Sequence, residues 1–494
     1  MKNTGTDISR LLLAAALLIM VQACAVNPVT NKRELMLVSQ NKEFEIGQGV
    51  DKEVREEMGI YLEKPELRNL LKEMVENIGR KSHRPDVIYR AEIVDTSDFN
   101  AFAVPGGFVY AHRGLLERMN SADELASVMG HEIAHVSARH SASQISKQQL
   151  VNLVLQGASI ATGGEIKKFG DVINIGSALA FNKFSRDDER QADYLGIRYM
   201  TDAGYNPEGA IHAMETIKSI NEKEPGLLET WFMTHPPTSE RIDNLNKELN
   251  ELSAKNPEIL KRKKKRNEYI MLLEGMAVGE WNGSELVKGD RYYNREFMLS
   301  IPVLSGWTAH INNKNYTAVF TNSKDKAYAV FNIEPLSKKV STEEYFKGIS
   351  SKIKSKNLKP DGPENSIISH GAVSGSFTGV SGNSTVYACL TSFVKEYNGY
   401  SILEVSENSL SSPSASAGMI NNLVFLPEKE IAEIKPLRMR IHRVKKNETW
   451  KSITKIYYSG SDNFTKLAEY NGFRSGERPE EGMLLKIPPT LRFD

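Results

Sequence analysis

Residues 130–135 read Gly-His-Glu-Ile-Ala-His, inside a segment whose other signals are helical. Ser121 and Glu124 are spaced as a capping box, and Leu125, Val128, Met129, Ile133 and Val136 recur on one face of residues 121–139. Residues four apart in a helix stand one above the other, so His131 and His135 can offer two imidazoles to one cation. Glu132 is rotated from that pair by about a third of a turn, beside the cation rather than on it. Zinc takes nitrogen, sulfur or carboxylate donors, and a catalytic site keeps one position for water. Glu132 is placed to take that water's proton. A surface helix with incidental histidines would demand nothing of the rest of the chain. A metal-binding pair demands a third ligand on a second element.

Residues 184–196 read as that element, a helix on which Glu189 and Asp193 share a face at i, i+4. Glu189 can complete a set of two histidines and one carboxylate, and Asp193 can orient a ligating imidazole from behind. Without the histidine pair, the same two acids would read as a solvated helix face. The metzincin alternative fails, because it wants Gly and His where this chain has Ala138 and Ser141. His140 is a poor third ligand, since nine residues of continuous helix turn it to the face opposite His131.

Four stretches now stand in order: Asn100 with Ala101, Phe102, Ala103 and Val104 and on through Pro105-Gly106-Gly107 to Tyr110, the His131 helix, the Glu189 helix, and Thr234-His235-Pro236 followed by Arg241. Within residues 27–245 they resemble the gluzincin-type zinc metallopeptidases of the HtpX/BepA-like family. The resemblance implies a mainly α-helical zincin-like domain with a small β-sheet. It also implies one catalytic zinc, endopeptidase activity on proteins, and Glu189 as third ligand. Arg241 belongs to the family's corresponding motif and is expected beside the ligands. Residues 101–104 are expected as an edge strand that takes an extended substrate. Pro236 and Pro237 make the loop after His235 irregular, and two roles for His235 stay open. It could hydrogen-bond a developing oxyanion, or it could fill zinc's open position and hold a resting state.

The 494 residues of the chain allow about three domains. A net charge of +1 gives no electrostatic case for nucleic acid. Lys2 and Arg10 precede an apolar run over residues 11–21, too short for a span of about 20 residues but right for a signal-peptide core. Val21-Gln22-Ala23-Cys24 resembles a bacterial lipobox, which implies lipidation at Cys24 and a membrane anchor. Ala25, rather than Asp, follows it, and the resemblance to sorted lipoproteins then implies an outer membrane if the cell has one. Residues 1–23 are then the signal and 24–255 the peptidase domain. Residues 151–181 are apolar and read as two short buried helices split at Gly163-Gly164. The basic run 261–266 reads as a solvated stretch within a connector, 256–292. Residues 293–430 read as an α+β domain without a catalytic set, in which His310 and His370 are isolated. Residues 438–490 resemble a LysM domain, a βααβ unit whose family binds wall glycans, with Asn447-Glu448-Thr449 replacing the usual loop sequence. The expectation is a lipid-anchored bacterial envelope endopeptidase facing the periplasm, acting on misfolded or unassembled envelope proteins. The competing reading is a chaperone-like or peptidoglycan-tethered assembly factor with a mostly closed metal site.

Overall fold

The computed structural model describes residues 24–149, 183–235, 240–281, 285–312, 317–354, 358–362, 365–367, 369–381, 384–410, 414–458, 463–474 and 476–489. The signal segment, the apolar stretch 151–181 and the two prolines after His235 lie outside these residues. No helix among the described residues is long and apolar enough to cross a membrane.

The catalytic half starts with a two-stranded ribbon, β1 (Cys24–Val26) and β2 (Arg33–Leu35), followed by helices α1 (Gln40–Glu57) and α2 (Pro65–Gly79). Pro65 opens α2, where its missing N–H is no loss, and Leu67, Leu71, Met74, Val75 and Ile78 line its buried face. Next come β3 (Arg90–Val94), β4 (Ala101–Val104) and β5 (Phe108–His112). Their order is β3–β5–β4, with β3 parallel and β4 antiparallel to β5. Gly106 and Gly107, at φ 85° and 89°, make the β4–β5 turn in a backbone region that suits glycine.

A short helix α3 (Arg113–Arg118) leads to α4 (Ala122–Ser137), and then follow α5 (Arg186–Asp202), α6 (Glu208–Lys223), α7 (Glu229–Thr234) and α8 (Glu240–Lys255). Ser121 caps α4 as expected, its Oγ accepting from the Glu124 amide at 3.1 Å. The Glu124 carboxylate accepts instead from the Asn120 amide, at 2.9 Å, one residue upstream of the capping-box donor. Helices α4 and α5 cross at Gly130 and Gly196. A Cβ on Gly130 would stand 2.7 Å from the Gly196 carbonyl oxygen, and one on Gly196 would stand 2.8 Å from the His131 nitrogen. Only glycine at both positions lets the two backbones touch, and that contact brings the two halves of the metal motif together.

Beyond α8, the basic run is partly engaged. The Arg262 guanidinium donates to the Thr201 and Tyr205 carbonyls at 2.6 and 2.7 Å, satisfying carbonyls at the end of α5. Arg266 donates to the Asn120 and Asn471 carbonyls, whereas Lys261 and Lys263 stay in solvent. The following region is β-rich, and its first pairing lies inside the expected connector. Glu285–Lys288, Arg291–Asn294, Leu299–Pro302 and Val424–Phe425 form a four-stranded sheet. An antiparallel eight-stranded sheet spans Thr308–Asn312 to Asn398–Ser406 and packs against helix Thr342–Lys354. At the end, Arg440–Arg443 pairs with Leu484–Ile487, and helices Trp450–Tyr457 and Phe464–Tyr470 lie between them in sequence. This unit rests on the turn that enters α4. The fully buried Lys486 ammonium donates to the Glu117, Arg118 and Met119 carbonyls at 2.9, 3.1 and 2.9 Å.

Candidate metal centre

Four side chains from three places in the chain converge below the α4–α5 crossing: His131 and His135 from α4, Glu189 from the first turn of α5, and His235 from the end of α7. All four are buried, none more than 5% exposed. The His131 and His135 Nε2 atoms are 3.1 Å apart, and His131 Nε2 is 3.3 Å from His235 Nδ1. Glu189 Oε1 lies 3.4 Å from His135 Nε2 and 3.0 Å from His235 Nδ1, with Oε2 3.5 Å from His131 Nε2. Four donors at zinc bond lengths around a tetrahedral centre are about 3.3 Å apart. The donor set therefore fits zinc in kind and in spacing. Lone pairs facing one another at these distances repel unless a cation or a proton lies among them. Among the described residues, Glu189 Oε2 and His235 Nε2 make no hydrogen bond, although Arg241 and Glu132 lie near them.

The surroundings are built to hold this arrangement. His131 Nδ1 lies 2.9 Å from Asp193 Oδ1, so it carries the hydrogen and Nε2 keeps a free lone pair. Arg241, at the start of α8, clamps Asp193 through two bonds of 2.8 Å and reaches Glu189 Oε2 at 3.2 Å. Burial works against ionising Glu189, but His235, His131 and His135 outweigh it and hold the carboxyl far below the usual range. Burial also holds His135 well below the ordinary imidazole value, against the opposing contact with Glu189, and keeps the ring neutral. His235 is fixed by its amide bond to the Trp231 carbonyl, 2.8 Å, and by the indole against its ring, centroids 4.5 Å apart.

Glu132 is fully buried beside the cluster, with Oε1 3.4 Å from His235 Nε2. Burial pushes its carboxyl up to about 8, although His131 and the Ala103 amide oppose this. That amide ties Glu132 to β4. The strand does stand at the end of the sheet order, yet Ala101, Phe102, Ala103 and Val104 are all buried, 0–9% exposed. The edge expected to be open to substrate is closed in this conformation.

The sequence reading therefore has its histidine pair, Glu189, Asp193, Arg241 and His235 in one place. It left open which of two positions His235 takes, and the ring stands among the ligands. It placed His140 on the far face of α4, but His140 Nδ1 is 2.8 Å from His135 Nδ1. The continuous-helix assumption failed, because α4 ends at Ser137 and Arg139 turns the chain with φ 61°. His310 is also not isolated: its Nδ1 lies 3.7 Å from Glu280 Oε1, with Asp98 in the same group. His370 is exposed but packs on Phe393 and bonds the Leu423 carbonyl, and Cys389 is buried against Ser414.

Residues 62–249 match the family model described as Peptidase family M48. The mitochondrial metalloendopeptidase OMA1 of Schizosaccharomyces pombe is 31% identical over 232 residues, covering 46% of this chain and 67% of that protein. The metalloprotease YcaL of Escherichia coli is 28% identical over 177 residues, 35% of this chain and 67% of its own. The beta-barrel assembly-enhancing protease of Escherichia coli is 25% identical over 199 residues, 37% of this chain and 40% of its own. The matched span contains every residue of the metal centre, and the chain belongs to peptidase family M48, as a zinc metalloendopeptidase.

Proposed function

We propose that this metalloendopeptidase is lipid-anchored in the bacterial cell envelope, most consistent with an outer membrane, and degrades misfolded or unassembled envelope proteins. The observation that carries the catalytic part is the buried convergence of His131, His135, Glu189 and His235. Bound there, zinc supplies Lewis acidity to the attacking water and the scissile carbonyl. Glu132 takes the water's proton and passes it to the leaving amine, and its burial favours the protonated carboxyl that makes this delivery. Asp193 and Arg241 hold His131 and Glu189 in place. Backbone pairing along residues 101–104 suits unfolded chains of varied sequence, once that edge opens.

His235 is a brake in this reading. Its Nδ1 stands as a fourth donor while its Nε2 side lies 3.4 Å from Glu132 Oε1, so one ring fills the water's position and crowds the base. Movement of the α7 end would release both. At equal zinc occupancy, His235→Ala should raise cleavage of an unfolded protein such as casein by about tenfold or more. A fall of about 100-fold would make His235 an oxyanion donor instead.

Support for the location comes from the apolar run ending in Val21-Gln22-Ala23-Cys24. The name of one relative, a beta-barrel assembly-enhancing protease, points the same way for substrates. Mass spectrometry of the mature N-terminus should find a lipidated Cys24; a peptide starting downstream of it would refute the anchor. The βααβ order of the last unit supports a LysM-like module that tethers the enzyme to peptidoglycan. Failure to co-sediment with peptidoglycan would remove that role. Intact zinc with no cleavage of any unfolded substrate would favour the assembly-factor reading, to which the closed site also conforms.

A further inference from the structure

His135 points Nε2 into the four-donor cluster, 3.1 Å from His131 Nε2, and turns Nδ1 toward His140 Nδ1 at 2.8 Å. Both rings are buried, and Phe184 stacks on His135 with centroids 3.9 Å apart. A neutral imidazole has one N–H and one lone pair. If His135 Nε2 offers its lone pair to the cluster, its hydrogen is on Nδ1. His140 Nδ1 must then accept, which puts the His140 hydrogen on Nε2. That atom lies 2.9 Å from Gln191 Oε1, an acceptor, with Asp188 Oδ1 at 3.6 Å on the same side. Every link has one donor and one acceptor, and the direction is the same throughout.

We propose that His140 is a positioning residue of the zinc site: as the Nε2–H tautomer it accepts from His135 Nδ1 and holds His135 Nε2 toward the metal. The proposal rests on the zinc reading of the cluster. It also gives a purpose to the break after α4. Arg139, held at φ 61° by its bonds to Glu43 Oε1 (2.6 Å) and the Val38 carbonyl (2.7 Å), folds the chain back so that His140 meets His135. The two ligating histidines are thus backed by acceptors of different charge. His131 answers to an anionic carboxylate, His135 to a neutral ring.

The test uses the full chain with His140→Leu and His140→Asn, because an Asn amide oxygen can stand where Nδ1 stands and leucine offers no acceptor. Zinc affinity by chelator competition should weaken about 10–100-fold in His140→Leu and recover most of that loss in His140→Asn. Thermal unfolding of the metal-free forms separates this from a folding defect. Imidazole ¹⁵N spectra of the zinc-bound parent should show His140 with hydrogen on Nε2 and a bare Nδ1. Parent-like zinc affinity in a folded His140→Leu, an Asn variant as weak as Leu, or hydrogen on His140 Nδ1 would each overturn the role. Should His140→Leu not fold, the Asn variant and the spectra still decide. A parent chain that binds no zinc would overturn the metal centre itself, a different failure from unchanged affinity.

Discussion

Two regions of this molecule bury polar side chains, and they do so in opposite ways. Behind the eight-stranded sheet, Ser374, Thr391, Ser416 and Ser414 form a chain of hydroxyls 2.9–3.1 Å apart. Each hydroxyl both donates and accepts, so such a chain satisfies itself and asks for no ligand. Under the α4–α5 crossing, three imidazole nitrogens and a carboxylate face one another with acceptor sides inward. Burying those groups is costly unless something positive joins them. What marks a functional site is therefore unmatched polarity, rather than buried polarity as such.

The same contrast applies to helix glycines and provides the largest test. Gly196→Ala would drive a Cβ into the α4 backbone, whereas an added Cβ at Gly348, in helix Thr342–Lys354, meets nothing within 4 Å. Gly196→Ala should destabilise the catalytic half by about 1–3 kcal/mol and lower its zinc affinity. Gly348→Ala should instead gain about 0.5–1 kcal/mol with zinc affinity unchanged. Melting curves and chelator competition read both. Equal behaviour of the two variants would mean that the close crossing does not set the metal geometry.

A smaller effect lies where the halves meet, at Asp98, Glu280 and His310. Burial, and then Glu280, push the Asp98 carboxyl up to about 6. Its folded value exceeds its unfolded one, near 3.9, so the protonated form favours folding and stability falls as pH rises through about 4 to 6. Asp98→Asn should melt with the parent below pH 4 and a few degrees higher at pH 8. A lower melting point for the variant at pH 8 would show that ionised Asp98 is a favourable partner at this junction.

Much of the catalytic half was legible because its signals are local. Periodic apolar residues mark α2 over Pro65–Gly79, and the i, i+4 pairs put ligands on α4 and α5. What escaped depends on chain reversals or distant partners. His140 was assigned by continuous helix geometry, and a left-handed Arg139, with no glycine to announce it, invalidates that geometry. Gly130 and Gly196, both inside apolar helical patterns, were the available sign of a close crossing. Arg262 looked like part of a solvated charge run because its acceptors, the Thr201 and Tyr205 carbonyls, lie about 60 residues upstream. The closure of residues 101–104 could not be read from an edge-strand pattern, because burial depends on what packs over the edge.

The central claim is that the cluster holds one zinc and that Glu132 moves the proton. It is tested most directly by measuring zinc per chain and casein cleavage together, for the parent and Glu132→Gln. The amide cannot accept a proton, but it leaves His131, His135 and Glu189 untouched. Both proteins should carry one zinc per chain, with cleavage falling by about 10²–10⁴-fold in the variant. Parent-level cleavage in Glu132→Gln, or a parent that cleaves without zinc, would contradict the account.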